Sequence, residues 1–182
     1  MPQPPSDAAI PGNQRPRDDG FGIALDWGTT NLRAFLIDAQ GAVMEEREKP
    51  WGILSLPAPA GEGGFDKALQ GIAGDWMAAH PGGALIASGM VGSAQGWREA
   101  PYVRCPAGAD DLVLKMTRVP TRSGRDLMIV PGVLLDLPED LPDVIRGEET
   151  QVIGALKAIE ESAGPGAEGD RDTVCFVLPG TH

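Results

Sequence analysis

The strongest constraint on the fold is a pair of apolar segments that flank a short polar turn near the amino terminus. Residues 21–25 are largely apolar, Asp26 follows them directly, and residues 32–37 are largely apolar again. Because so few residues separate the two segments, they can only be antiparallel neighbours joined by the turn. The sequence therefore predicts a hairpin that carries polar groups at its tip.

The turn itself has the composition of a phosphate-binding loop. Gly28 tolerates positive φ and close approach of another molecule, and the amides and side chains of Thr29, Thr30 and Asn31 can donate to phosphate oxygens. Asp26 faces the same position and would repel a bare phosphate, which favours Mg²⁺ between the two. The alternative is an ordinary turn in which Asp26 caps backbone amides. Since short motifs match by accident, downstream residues must decide.

Length and composition predict one soluble globular domain of ordinary size. The chain has 182 residues, 42% of them hydrophobic, which is enough for a substantial core. A net charge of -11 argues against unspecific binding to nucleic acid or to an anionic membrane surface, so neither partner is predicted. Composition leaves the oligomeric state open, with a homo-oligomer as one alternative.

Cysteine spacing and hydropathy favour a cytoplasmic protein without a structural metal. Cys105 and Cys175 belong to no CxxC motif or Cys/His cluster, so neither a disulfide framework nor a zinc site is indicated. No stretch approaches the roughly 18 apolar residues of a membrane span. The amino terminus also lacks the charged and apolar regions of a secretory signal.

Hydrophobic periodicity predicts alternating strands and helices. The predicted elements are strands near 21–26, 32–38 and 42–48, a helix near 65–79, strands near 84–87, 112–119 and 127–130, a helix that begins within 146–151, and a strand over 173–178. The first three strands form an antiparallel meander because their connections are short. Residues 1–20 are rich in proline and are predicted to be a disordered tail, and residues 136–143 to be a solvated linker.

The loop from Ser88 to Tyr102 has the composition of a polar pocket with an aromatic wall. Its candidate ligand-binding residues are Ser88, Gly89, Met90, Gln95, Trp97, Arg98 and Glu99. Loops at strand ends are where α/β proteins usually bind small ligands. The alternative is a surface loop whose Trp97 and Tyr102 fold back onto the core.

Two adjacent carboxylates stand at the start of the last predicted helix. At about 100° per residue, Glu148 and Glu149 fall on the same side as the apolar stripe within 152–159, while Thr150 and Gln151 point away. Both carboxylates could simply complement the helix dipole, a contribution of roughly 0.3 to 1 kcal/mol each. The functional alternative is that one of them borders a cleft and acts as a base.

Five stretches together resemble the sugar-kinase branch of the actin, acetate-kinase and chaperone-ATPase superfamily, and more closely the 2-dehydro-3-deoxygalactonokinase family. The stretches are Asp26–Arg33, Ser88–Ser93, Gln95–Tyr102, Arg146–Gln151 and Leu178–His182. The resemblance implies an α/β fold of the ribonuclease-H-like type, with a mixed five-stranded sheet that contains an antiparallel meander and is flanked by helices. That domain is duplicated in the family, with ATP between the two copies.

The resemblance also implies a division of the chain. Residues 21–161 would form the amino-terminal sugar-kinase domain, and residues 162–182 a linker and the first strand of a carboxy-terminal nucleotide-binding domain. In the family, residues beyond the position of His182 build that second domain. The sequence is therefore expected to be truncated, and the 182-residue chain alone is expected to be inactive.

Cofactor-binding roles follow from the same resemblance. ATP and Mg²⁺ are the implied cofactors, with Asp26 organising the metal and serving the catalytic step. The turn formed by Gly28, Thr29, Thr30 and Asn31 would be the first phosphate loop, and Gly180 and Thr181 would begin the second. The catalytic base would be Glu148, which aligns with the Gly-Asp pair of related sugar kinases. Glu149 remains an alternative base.

The implied reaction is phosphorylation of a 2-keto-3-deoxy sugar acid at its 6-hydroxyl, in galactonate catabolism. Glu148 would accept the hydroxyl proton as the oxygen attacks the γ-phosphate of ATP in line. The loop from Ser88 to Tyr102 would hold the keto acid, with Arg98 as partner of its carboxylate and Arg33 and Arg146 as further substrate-binding residues. Two alternatives are a kinase of the same superfamily for a neutral polyol or pentulose, and a non-catalytic regulator that binds sugar or nucleotide.

Overall fold

A computed structural model describes residues 20–138, 141–163 and 174–178. The strands are β1 (Gly22–Trp27), β2 (Leu32–Ile37), β3 (Val43–Lys49), β4 (Ala84–Ser88), β5 (Tyr102–Arg104), β6 (Thr117–Pro120), β7 (Asp126–Ile129), β8 (Gly132–Leu135) and β9 (Asp143–Ile145). The α-helices are α1 (Gly64–Ala79), α2 (Ala109–Leu114) and α3 (Glu148–Ala163). None of the helices in these ranges is long and apolar enough to cross a membrane.

The main sheet has the strand order β3-β2-β1-β4-β7-β6. β1 pairs antiparallel with β2 and parallel with β4, so the sheet is mixed and begins with the predicted meander. It contains six strands, so the expected five-stranded sheet is wrong in number. The additional strand is β6, which the turn at Gly124, with φ of 82°, folds back antiparallel onto β7.

Residues 112–119 do not form the predicted strand. They are divided between α2 and β6. The Gly108 N–H donates to Asp111 Oδ2 at 2.9 Å, which stabilises the start of α2. Within α2 only Leu112 is buried, whereas Leu114 is 81% exposed. Burial of one side only is typical of a surface helix, and this pattern is too short to be distinguished from a strand in the sequence.

A second sheet, of order β5-β8-β9, was not predicted. Its strands are only three or four residues long, and they carry no clear alternation of polar and apolar residues. β9 begins at Asp143, so the predicted linker 136–143 ends inside this sheet. Residues 174–178 form no strand, contrary to the expectation for 173–178, whose first residue lies outside the described ranges.

The core lies between the main sheet and α1. Alternate residues of β1, namely Ile23, Leu25 and Trp27, are buried toward that side. Side chains of a strand alternate between its two faces, so Ala24 and Asp26 are on the opposite face. The fold thus places Asp26 at the carboxyl end of β1, on the face that α1 does not cover.

Candidate active site

Asp26 lies at the junction of three strands. It is opposite Arg33 of β2 and in register with Ser88 of β4. Its carboxylate Oδ2 is 3.9 Å from Arg33 Nε, and its side chain is 35% exposed. The carboxylate is therefore fixed by the sheet and remains accessible to a ligand.

The turn that follows β1 is held by hydrogen bonds that its backbone carbonyl groups accept. Gly28 N–H donates to the Asn31 carbonyl at 3.0 Å, while the Thr29 and Thr30 carbonyls accept from Leu54 and Gly52 of the neighbouring loop at 3.2 and 2.8 Å. Residues 29–31 are exposed. The turn is thus a rigid platform with its threonine side chains accessible. Contrary to the expected use of positive φ, Gly28 is not among the glycines with that conformation.

Two glycines with positive φ bring a second wall against the end of β1. Gly89 has φ of 91°, and a Cβ there would lie 3.0 Å from the Trp27 carbonyl oxygen and 3.6 Å from Asp26 Oδ1. Gly147 has φ of 114°, and a Cβ there would lie 3.2 Å from Gly89 Cα. A side chain at either position would separate the segments, so both glycines are required by close approach as well as by backbone conformation.

These segments enclose a cleft of about 570 Å³. Its lining comprises Asp26 and Arg33, the turn from Gly28 to Asn31, the pair Gly89 and Met90, and Arg146, Gly147, Glu148 and Gln151. Most of the site residues predicted from sequence thus meet in one place. Gln151 was predicted to point away from the apolar stripe of α3, and it lines the cleft beside Glu148.

A second cavity of about 580 Å³ adjoins the cleft on the sheet face opposite α1. It shares Asp26, Arg33 and Gln151 with the cleft and is also lined by Ser88 and by the apolar Phe35. Ser88 is therefore beside the cleft rather than in it.

The adjacent carboxylates of α3 have different surroundings. Glu148 borders the cleft, and its Oε2 accepts the Arg146 N–H at 3.0 Å. Glu149 is only 3% exposed, and its Oε2 accepts the Gly147 N–H at 2.7 Å. Burial raises the pKa of the Glu149 carboxyl above its ordinary value, and the negative charge of Glu148 acts in the same direction. Of the two, only Glu148 is in a position to contact a ligand in the cleft.

The later part of the 88–102 loop does not line the cleft. Gln95, Arg98 and Glu99 are exposed outside it. The Trp97 ring stacks on Phe65 at 5.5 Å and contacts Trp27 edge-on at 6.1 Å, so Trp97 folds onto the core as the alternative interpretation predicted. Tyr102 packs instead under the Arg146 guanidinium, 4.3 Å from its ring centre. An exposed loop and a core tryptophan have the same composition as a pocket wall, so the sequence alone could not distinguish them.

The residues at the cleft fit a magnesium ion bound partly through water. No group of three or more His, Cys, Asp or Glu side chains suited to a metal occurs in the described ranges. Mg²⁺ bound with nucleotides usually takes one or two carboxylates together with water and phosphate oxygens. The Asp26 carboxylate beside the Thr29 and Thr30 hydroxyls provides such a donor set. Gly180 and Thr181, the proposed second phosphate loop, lie outside the described residues.

The fold and site together define a mixed α/β domain with a cleft at the carboxyl ends of its central strands, lined by two carboxylates and two guanidinium groups. Its sequence matches the profile of the family described as 2-keto-3-deoxy-galactonokinase over residues 26–182, and the chain belongs to that family.

Two curated relatives and a solved structure are similar to this chain. The chain is 37% identical over 164 residues to the Rhizobium meliloti protein named "Probable 2-dehydro-3-deoxygalactonokinase DgoK1", with 90% of this chain and 48% of that protein covered. It is 35% identical over 162 residues to the 2-dehydro-3-deoxygalactonokinase of Escherichia coli, with 88% and 47% covered. The chain therefore spans about half the length of the curated relatives it matches.

A crystal structure from Sinorhizobium meliloti, assigned as a 2-dehydro-3-deoxygalactonokinase, has the same fold over most of the described chain. The TM-score is 0.61 at 36% identity, and the match covers 75% of this chain and 43% of that one.

Proposed function

We propose that the protein to which this chain belongs transfers the γ-phosphoryl group of ATP to the 6-hydroxyl of 2-dehydro-3-deoxygalactonate, in galactonate catabolism in the cytoplasm. The observation that carries the proposal is that Asp26 and Glu148, far apart in the chain, line one cleft together with the turn from Gly28 to Asn31. A carboxylate for metal, donors for phosphate and a second carboxylate for a hydroxyl proton are the groups that phosphoryl transfer needs.

We assign phosphate binding to the turn from Gly28 to Asn31, between β1 and β2. The Thr29 and Thr30 side chains are exposed and line the cleft while their carbonyls are engaged, so their hydroxyls could donate to a phosphate. Asp26 would hold Mg²⁺ through one oxygen or through water. The metal, when bound, neutralises the charge that develops on the phosphate oxygens.

The base is assigned to Glu148, and the alternative Glu149 is disfavoured. Glu148 borders the cleft, whereas Glu149 is buried beneath it. A general base must come within hydrogen-bond reach of the proton that it accepts. The bond from the Arg146 N–H to Glu148 Oε2, at 3.0 Å, holds the carboxylate at the edge of the cleft in which the substrate hydroxyl would lie.

The substrate carboxylate is assigned to the cations of the cleft. Arg33 and Arg146 line it, and Arg98 does not. The guanidinium of Arg146 is already oriented, because Nη2 donates to the Ala100 carbonyl at 2.9 Å and the group stacks on Tyr102 at 4.3 Å. A guanidinium held at the edge of the cleft favours a sugar acid over a neutral polyol, because a carboxylate can pair with its charge. Arg98, as an exposed residue, is the weaker candidate.

We infer that the fold is of the ribonuclease-H-like type, in which this domain is one half of the nucleotide cleft. The antiparallel meander β3-β2-β1, followed by the parallel strand β4, supports that inference. The proposed limits remain a tail at 1–20, this domain at 21–161, and a linker with the start of a nucleotide-binding domain at 162–182. In the relatives, the part that this chain does not match would form the other half of the nucleotide cleft.

The test uses a chimera in which this chain replaces the matching part of the Rhizobium meliloti relative. We expect ATP- and Mg²⁺-dependent phosphorylation of 2-dehydro-3-deoxygalactonate, with no turnover by the 182-residue chain alone. Glu148→Gln should lower kcat by about 10² to 10⁴ with little change in KM. Glu161→Gln, on the exposed part of α3, is the matched control.

The same assay separates the alternatives. Faster turnover of a neutral pentulose or polyol than of the sugar acid would show that the substrate is a neutral sugar or polyol. Ligand binding without release of ADP, in a folded chimera, would indicate a non-catalytic regulator.

A further inference from the structure

Glu149 carries a buried carboxyl group that has no assigned role in the proposed reaction. It is 3% exposed, and Oε2 accepts the Gly147 N–H at 2.7 Å. Its other oxygen, Oε1, is buried and has no hydrogen-bond partner among the described residues. A carboxyl in such a place destabilises the fold unless it is compensated, and a neutral side chain of similar size would be simpler for packing alone. Packing alone therefore does not explain why a glutamate is present at position 149.

The group that Glu149 holds is the N–H of the Arg146–Gly147 peptide, one residue before Glu148. The Gly147 N–H is bound by Glu149, and the Gly147 carbonyl accepts from Thr150 Oγ1 at 2.6 Å. Both polar groups of this glycine are thus fixed by side chains of the first turn of α3. Because φ at Gly147 is 114°, in the region that only glycine adopts readily, the peptide has wide freedom without these bonds.

The conformation of this peptide decides where Glu148 points. Gly147 lies against Gly89, since a Cβ on Gly147 would be 3.2 Å from Gly89 Cα. On its other side Arg146 is fixed, because Nη2 donates to the Ala100 carbonyl at 2.9 Å. Gly147 is therefore the residue whose backbone conformation can change between the fixed Arg146 side chain and the Glu148 carboxylate in the cleft.

We propose that Glu149 is a positioning residue that, through its bond to the Gly147 N–H, sets the orientation of the Glu148 carboxylate for proton acceptance. This proposal rests on the proposed function. Glu149 does not touch the substrate, and its effect on turnover passes through Glu148 alone.

The first experiment follows amide hydrogen exchange at Gly147 in the 182-residue chain, which needs no substrate. Glu149→Met removes the acceptor at similar size, and Glu149→Gln keeps an acceptor oxygen. We expect exchange at Gly147 to rise about tenfold in the Met variant, and about twofold or less in the Gln variant. Glu161→Met, on the exposed part of the same helix, is the control and should leave it unchanged. Equal exchange in the wild type and the Met variant would overturn the proposal.

The second experiment measures kinetics in the chimera defined above. We expect Glu149→Met to lower kcat by about tenfold or more while KM for both substrates stays within about twofold, and Glu149→Gln to restore most of kcat. In the Glu148→Gln background, Glu149→Met should cause no further loss, because the two residues act as a unit.

Two outcomes would overturn the positioning role. If Glu149→Gln lowers kcat as far as Glu148→Gln does, Glu149 takes part in proton transfer itself. If Glu149→Met lowers only the melting temperature while kcat per folded site is unchanged, its role is confined to stability. A folded wild-type chimera without kinase activity would count against the proposed function, and the exchange experiment would still decide whether Glu149 holds Gly147.

Discussion

The Asp26 carboxylate and the Arg33 guanidinium face each other across the β1–β2 ladder, with 3.9 Å between Oδ2 and Nε, at the mouth of the cleft. This separation is at the limit of an ion pair, and both side chains are partly exposed, so the pair contributes little to stability. In the proposed reaction, the pair would place a cation and an anion where a metal-bound phosphate can displace their mutual contact.

Replacement of Asp26 should therefore affect the metal more than the fold. We expect Asp26→Asn in the chimera to raise the Mg²⁺ concentration for half-maximal rate by about tenfold or more and to lower kcat, because the amide carries no charge. The unfolding midpoint of the 182-residue chain should change little. Measurement of rate against Mg²⁺ concentration checks this, and an unaltered Mg²⁺ dependence would show that Asp26 does not hold the metal.

The choice of cation for the substrate carboxylate can be tested by comparing Arg146 with Arg98. Arg146→Lys keeps the charge but loses the planar fork, so KM for the sugar acid should rise about tenfold while KM for ATP stays nearly constant. Arg98 is exposed outside the cleft, and Arg98→Ala should have a much smaller effect. A larger rise in KM for the sugar acid in Arg98→Ala than in Arg146→Lys would show that the 88–102 loop binds the substrate carboxylate.

The elements near the amino terminus could be predicted because their signals are local. The alternation in β1, the short connections of the meander and the apolar stripe of α1 each act within a few residues. The position of Asp26 at a strand end follows from the same pattern. The resemblance of the later motifs to one family supplied what local patterns could not, namely that Glu148 would be near Asp26.

Other features depend on contacts between distant residues. The stacking of Trp97 on Phe65 is a tertiary contact, and a tryptophan in a glycine-rich loop has the same sequence signal whether it faces a ligand or the core. Glu148 and Glu149 were placed on one side of an ideal helix, but consecutive residues are separated by about 100° around the helix axis, so Glu148 borders the cleft while Glu149 is buried.

The burial of Glu149 should make stability depend on pH in a defined direction. Its pKa is raised in the folded chain, chiefly by burial, so the folded state favours the protonated carboxyl. The stabilisation from this proton is complete below the unfolded pKa, near 4.3, and is lost as pH rises through the folded pKa. Glu149→Gln lacks this titration. We therefore expect its free energy of unfolding, relative to wild type, to increase as pH rises above about 4.3, with a slope of at most about 1.4 kcal/mol per pH unit.

Urea unfolding of the 182-residue chain at a series of pH values checks this expectation. The charged groups that act on Glu149 are Glu148, which raises its pKa, and Arg146, which lowers it. Glu161→Gln, at an exposed position of α3, is the control for loss of a carboxylate from the same helix. A flat difference for Glu149→Gln would mean that the Glu149 pKa is the same in the folded and unfolded chains.

A second titration, in acid, should come from the ion pair that joins β3 to α1. Arg47 donates to both carboxylate oxygens of Asp75, at 2.6 and 2.8 Å, and lowers the pKa of that carboxyl from 3.8 to about 2. The stabilisation is present above the unfolded pKa and is lost as pH falls toward 2. Because Asp75 is 65% exposed, we expect Asp75→Asn to destabilise the chain by less than about 1 kcal/mol at neutral pH. The difference from wild type should fall toward zero near pH 2, and Glu46→Gln, at an exposed position of β3, is the control for loss of a carboxylate. A difference that persists at that pH would place the role of Asp75 in packing rather than in charge.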